Sequence, residues 1–161
     1  MILTASSFVG IHAALRLRKT EEQLRSLHKA LEQIGGEIQF AGTPFGPLCE
    51  RIARTAGGSV GVFFSALSRQ TAGAGLHSQG MTRCAAAEAG LVLPEPALLS
   101  LERLFDSFGR SDLDSQLRQL QLASTELGRL SEELRQQMTG KCRSYELLGL
   151  TTGAAVLVLV L

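Results

Sequence analysis

Leu24, Leu27, Leu31, Ile34, Ile38 and Ala41 recur at steps of three and four. That spacing lines them up on one stripe of an α-helix, whereas side chains on a strand change face at every residue. It predicts an amphipathic helix over 19–41 that must bury its stripe against another element. Gly35 and Gly36 interrupt the pattern. Each costs about 1 kcal/mol relative to alanine in a helix interior, which points to a kink or a close helix contact. A second seam, Leu113, Leu117, Leu120, Ser124, Leu127, Leu134 and Met138, lies in a stretch without a strong breaker. Gly128 and Gly140 weaken it only locally. Two long seams of this kind satisfy each other when their helices run antiparallel.

Between them the chain is punctuated by glycine and proline. "GTPFGPL" ends the first helix, and Pro47 suits the first turn of the next. "LCERIARTA" runs to a stop at Gly57-Gly58, after which Ser59 is placed to cap "VGVFFSALSRQTA". A shorter helix in "SQGMTRCAAAEAG" ends at Gly90. "LVLPEP" is a connection, and Pro96 opens "ALLSLERLFDSFG", with Leu98, Leu101, Phe105 and Phe108 on one face. In "RSDLDSQL" Ser111 is an expected N-cap, and Asp112 and Asp114 favour the positive end of the last helix. No convincing strand alternation appears. The expectation is an all-α fold, a small antiparallel bundle of about six helices.

The 161 residues carry a formal net charge of +1. That gives no bulk attraction for nucleic acid. A mean hydropathy of +0.15 is high beside a charged fraction of 19%, and the apolar excess sits at the two ends. Residues 147–161 have no charge, and Thr151 and Thr152 are their polar side chains. Counted from Tyr145, the 17 residues span roughly 25 Å as a helix, the short limit for crossing a hydrocarbon core of about 30 Å. Tyr145 suits the interface, and Gly149 and Gly153 would let another membrane helix approach. A buried core helix is the competing reading. At the other end Ile2–Leu15 is uncharged when His12 is neutral, and roughly 21 Å long as a helix. A cleaved signal peptide needs positive charge before the apolar run. Here Arg16, Arg18 and Lys19 follow it, which favours an uncleaved anchor. Lys141 and Arg143 precede the second run. Both basic clusters lie on the loop side, so the positive-inside rule places 20–142 in the cytoplasm. The expected division is an anchor over 1–18, a cytoplasmic bundle over 19–144 and a transmembrane helix over 145–161, with the lipid bilayer as partner.

Little in the chain suggests chemistry. Cys49, Cys84 and Cys142 are scattered and odd in number, with neither a disulfide framework nor metal-ligand spacing. Cys142 is a juxtamembrane candidate for acylation, with a plain thiol as the simpler reading. His12, His28 and His77 are far apart, and His28 reads as part of a solvated charged face. "AGGSVG" and "AGAG" are not followed by GK[ST], so no phosphate loop is expected. Glu21, Glu22, Glu132 and Glu133 read as solvated helix faces rather than an acid–base pair. The expectation is no catalytic constellation, no metal or cofactor, no nucleic acid and no small-molecule substrate. The "GRSD" turn is the one candidate for recognition, through Gly109, Ser111, Asp112 and Gln116. Helix capping is a compatible role for the same residues.

Three stretches, in order, carry a resemblance. They are "LRSLHKALEQIGGEIQFAGTPFGPLCERIA", "LFDSFGRSDLDSQLRQLQL" and "GKCRSYELLGLTTGAAVLVLVL". With them the chain resembles the stage III sporulation protein AB family of endospore-forming bacteria over nearly its whole length. It departs from the family in lacking a tryptophan in the short fourth helix, where "RCAAAEA" stands. The resemblance implies a domain similar to the cytoplasmic helical domain of platform proteins in type II secretion and type IV pilus systems. It also implies a non-enzymatic scaffold role in the sporulation channel joining mother cell and forespore, needed for late forespore development. The soluble part would face the mother-cell cytoplasm from the forespore-facing membrane. The implied partners are the other stage III channel proteins, including a secretion-type ATPase. A pilus or secretion platform subunit and a generic membrane-tethered adaptor are the alternatives. Platform proteins of those machines usually carry two helical domains and three membrane helices, against one and two expected here.

Overall fold

The computed structural model describes the backbone of residues 2–41, 44–74, 80–108 and 112–160, and the side chains of 15–39, 44–71, 80–108 and 112–138. Among these the chain forms six α-helices and no strand: α1 (Ile2–Ala41), α2 (Phe45–Ala56), α3 (Gly58–Ala74), α4 (Met81–Glu88), α5 (Glu95–Ser107) and α6 (Leu113–Val160). The expected all-α bundle is therefore present.

α1 and α6 form the frame. Glu21 lies in the electrostatic reach of Arg135, His28 bonds to Ser124, and Gly35 packs on Leu120. Ascending numbers on one helix meet descending numbers on the other, so the pair is antiparallel. Leu24, Leu27, Leu31, Ile34 and Ile38 of α1 are all buried. Ala41 lies outside the described side chains. Gly35-Gly36 does not break the helix. Its role is close contact, because a Cβ on Gly35 would lie 3.0 Å from Leu120 Cδ2, while one on Gly36 would meet open space.

The seam of α6 differs from the expected one. Leu120, Ala123, Leu127 and Leu130 are buried, with Leu117 and Leu134 packed beside them. Leu113 is 50% exposed, because α6 starts before it reaches the core. A 3.6-residue turn also drifts against a 3.5-residue repeat, so one strict seam cannot stay inward along a helix this long.

The short helices close the core. α2 and α3 form a hairpin joined by Gly57 alone, and Gly57 and Gly58 have φ of 62° and 51°. Glycine adopts that left-handed region at little steric cost. Ser59, expected to cap α3, lies inside its first turn, because the helix already starts at Gly58. α4 ends as predicted at Gly90, in a Schellman motif. Gly90 N–H bonds Ala87 O at 3.1 Å, Leu91 N–H bonds Ala86 O at 3.0 Å, and Gly90 has φ of 62°. Pro94 precedes α5, and Pro96 sits in its first turn, where its missing N–H costs nothing.

Five phenylalanines bind these pieces together. Phe105 of α5 lies 5.6 Å, centroid to centroid, from Phe45 of α2 and 6.0 and 6.3 Å from Phe63 and Phe64 of α3. Phe108 lies 4.8 Å from Phe45. Tilted and edge-to-face rings at such distances add about 0.5–1.5 kcal/mol per pair beyond their burial. Cys49 belongs to this core and is fully buried, and loss of hydration pushes its thiol pKa up to about 12.

α1 is continuous across residues 18 and 19, and α6 across 144 and 145, so both expected anchor boundaries fall inside unbroken helices. Among the described residues no helix is long and apolar enough to cross a membrane. The side chains of the two apolar runs, 2–14 and 145–161, lie outside the described ones.

Candidate functional site

The turn that leads into α6 is the candidate from sequence. Gly109 and Ser111 lie outside the described residues. Asp112 is exposed and stands directly before Leu113, the first residue of α6. Asp112 O accepts the first bond of the helix from Gln116 N–H at 3.0 Å. The Asp112 carboxylate takes hydrogen bonds from the Ser115 hydroxyl and from backbone N–H groups of this turn, which hold its pKa below the ordinary carboxylate value. Asp112 is thus the N-cap of α6, the place expected for Ser111, and it satisfies donors that a helix start leaves bare. The Ser115 oxygen in turn accepts from Arg118 Nη2 at 2.9 Å. Asp112, Ser115 and Arg118 form a polar chain along one side of the first two turns. Gln116 is half-buried beside it, and Leu113 presents apolar surface at the same corner. The arrangement is a capped helix start with charged side chains and exposed apolar surface beside one another.

The residues expected to flank a membrane divide. Arg16, Arg18 and Lys19 are exposed on α1, next to Leu15, which is 57% exposed. Lys141, Arg143, Gly149 and Gly153 lie on α6, outside the described side chains.

His28 is not part of a solvated face. It lies half-buried between α1 and α6 over Gly128, where an added Cβ would come within 3.4 Å of its ring. His28 Nδ1 is 2.9 Å from Ser124 O and 3.0 Å from Ser124 Oγ, and Nε2 is 3.6 Å from a Glu32 oxygen. The trio has the composition of a hydrolase triad but not its geometry. With Nδ1–H donated to a carbonyl, that nitrogen has no lone pair for the serine proton. A groove of about 330 Å³ opens beside it, lined by Glu21, Arg25, Glu132 and Arg135. Its charges alternate in sign, and Glu132 is paired with Arg135 at 2.9 Å. The sequence clue to this contact was Gly128, the one glycine opposite His28 on the partner seam.

Elsewhere the charged groups tie helices together. Arg51 of α2 holds both oxygens of Glu37 on α1 at 2.8 and 2.7 Å. Arg83 of α4 bridges Glu95 and Glu102 of α5 at 2.5 and 2.8 Å. Among the described residues no group of three or more His, Cys, Asp or Glu is arranged to hold a metal ion.

Comparison with known proteins bears on the whole chain. The family pattern of stage III sporulation protein AB matches residues 1–161. No curated protein matches. A solved structure titled stage III sporulation protein AB has the same fold, with a TM-score of 0.66 and 24% identity, over 75% of this chain and 97% of that one. With a match from the first residue to the last, the chain belongs to the stage III sporulation protein AB family.

Proposed function

We propose that this protein is a non-enzymatic platform subunit of the sporulation channel between mother cell and forespore. The observation that carries the reading is the family match over residues 1–161, which supports a role in sporulation. The architecture is compatible with a scaffold. Helices α1 and α6 run antiparallel, so the N-terminal end of one and the C-terminal end of the other leave the packed region together. Each continues into an uncharged run. In this reading the two runs tether the bundle to the mother-cell membrane that faces the forespore. Arg16, Arg18, Lys19, Lys141 and Arg143 then hold the bundle on the cytoplasmic side. The exposed corner at Asp112 lies at the opposite end of α6, where a cytoplasmic partner such as a secretion-type ATPase could reach it.

An in-frame deletion in the sporulating host tests the function. The expected outcome is arrest after engulfment, with spore counts down by orders of magnitude and restored by the intact gene. Normal sporulation would reject the reading. The tether is tested separately. The full chain should resist alkaline carbonate extraction from membranes, and removal of residues 145–161 should release part of it.

A further inference from the structure

We propose that the end of the frame at Arg16, Arg18 and Lys19 is a binding site for the phosphate headgroups of anionic phospholipids. It rests on the membrane tether and goes past it. The charge bias that orients a chain acts while the chain inserts, whereas a headgroup site needs cations that stay accessible in the folded protein. Arg16, Arg18 and Lys19 lie exposed within one turn of α1, and none has an ion pair among the described residues. No acid precedes Glu21 in the chain. On α6 the stretch 136–145 holds Lys141 and Arg143 and likewise no acid, with Glu146 at its outer edge. Gly128 opposite His28 and Arg135 near Glu21 fix the register of the antiparallel pair. Continued along both helices, that register sets positions 141 and 143 level with 13–15. Five basic positions therefore share one band, and Glu21, Glu22, Glu132 and Glu133 begin only on its bundle side.

The neighbours of the band select its occupant. Leu15 is 57% exposed beside Arg16, and residues 2–14 beyond it are uncharged when His12 is neutral. An anion that fits here must be carried on an apolar body. A phospholipid is such an anion: its phosphate meets the guanidinium and ammonium groups while Leu15 reaches the acyl boundary. An acidic peptide meets the cations but not the uncharged run next to them. A second copy would set the same cations against one another, with no acid in the band to answer them.

The test uses the full chain in vesicles of phosphatidylglycerol and phosphatidylcholine in equal parts. Carbonate-resistant protein is separated first, which scores the tether alone. On that protein, spin-labelled phosphatidylglycerol should be immobilised about threefold more than spin-labelled phosphatidylcholine, and salt should erase the preference. Arg16→Gln, Arg18→Gln and Lys19→Gln together should bring the ratio near one, while Arg16→Lys with Arg18→Lys should keep it. Lys29→Gln is the control. Lys29 is exposed on α1, about 15 Å further into the bundle, and its loss should change nothing. Every variant should melt with the parent, since each of these side chains is exposed. Inorganic phosphate at constant ionic strength should not compete; competition would make this a free-phosphate site and overturn the lipid assignment. A parent ratio near one, a ratio indifferent to the triple glutamine variant, or a ratio lost equally with Lys29→Gln would also overturn it. Should no protein resist carbonate, the tether fails, and flotation of the same chain decides the site. Vesicles with phosphatidylglycerol must then lift it and pure phosphatidylcholine must not, with the triple variant left behind.

Discussion

Gln23 and Val92 are 69 positions apart in the chain, and the Val92 backbone N–H donates a 2.9 Å hydrogen bond to the Gln23 side-chain oxygen. The Gln23 amide nitrogen reaches back to Gly90 O at 3.4 Å. One buried side chain on α1, 6% exposed, thereby serves both a donor and an acceptor of the α4–α5 connection. Gln23→Leu keeps the volume and leaves the Val92 N–H and the Gly90 carbonyl without their side-chain partner. It should cost about 1–2 kcal/mol in urea unfolding with an unchanged m-value. Gln23→Glu keeps the acceptor for Val92 N–H but sets a buried carboxylate against Gly90 O, and should be the less stable of the two variants at neutral pH.

Two glycines should respond in opposite directions. A Cβ on Gly61 would lie 2.7 Å from Ala53 O, so Gly61→Ala must push α3 away from the α2 backbone. We expect a loss of about 1–3 kcal/mol. Gly36 sits inside α1, and a methyl added there would have nothing within 4 Å. Gly36→Ala should gain about 0.5–1 kcal/mol by removing backbone freedom from the unfolded chain. Paired thermal melts of the two variants check the contrast.

Acid should destabilise the fold in a defined window. Arg83 lowers the pKa of Glu95, Arg129 that of Glu126 and Arg135 that of Glu132, chiefly through hydrogen bonds, and the Ser115 hydroxyl does the same for Asp112. A carboxyl with a lowered folded pKa binds its proton first in the unfolded chain. Its stabilisation is present at neutral pH and is lost as the pH falls below the ordinary values, 4.5 for Glu and 3.8 for Asp. The melting temperature should stay level from pH 7 to about 5 and decline below that. These groups are on the surface, so high salt should flatten the decline.

Asp112 separates folding from recognition. Asparagine caps helices about as well as aspartate, whereas alanine cannot accept the bond. Asp112→Asn should melt within about a degree of the parent, and Asp112→Ala a few degrees lower. If the carboxylate meets a partner, both variants should sporulate poorly. Normal spore counts for Asp112→Asn would leave capping as its whole role.

Local signals made most of the architecture legible. The three–four spacing of Leu24 to Ile38 identified the buried stripe of α1, and Gly57-Gly58, Gly90 and Pro96 marked where helices stop and start. Each acts on its own backbone, through a positive φ or a missing N–H, so no distant residue is needed to read it. What escaped depends on the facing element. His28 has charged neighbours along α1 and reads as solvated. Ser124 and Gly128, nearly a hundred residues on, turn that position into a contact. Gln23 escaped for the same reason, since its two partners belong to a turn 67 and 69 positions away. The α6 register was misread at Leu113 because periodicity identifies a face but not the point at which a neighbour begins to cover it. The candidate corner was legible as a polar turn, but its cap moved from Ser111 to Asp112, a one-residue distinction that pattern alone does not resolve.

The burial of Cys49 makes this protein its own stopwatch. Of the two described cysteines, Cys84 is exposed, while Cys49 sits among the helices that the phenylalanines hold shut. A thiol that is both shielded and far from ionised meets an alkylating reagent only when the domain opens. The rate at which Cys49 is modified in the intact protein therefore counts how often the bundle comes apart.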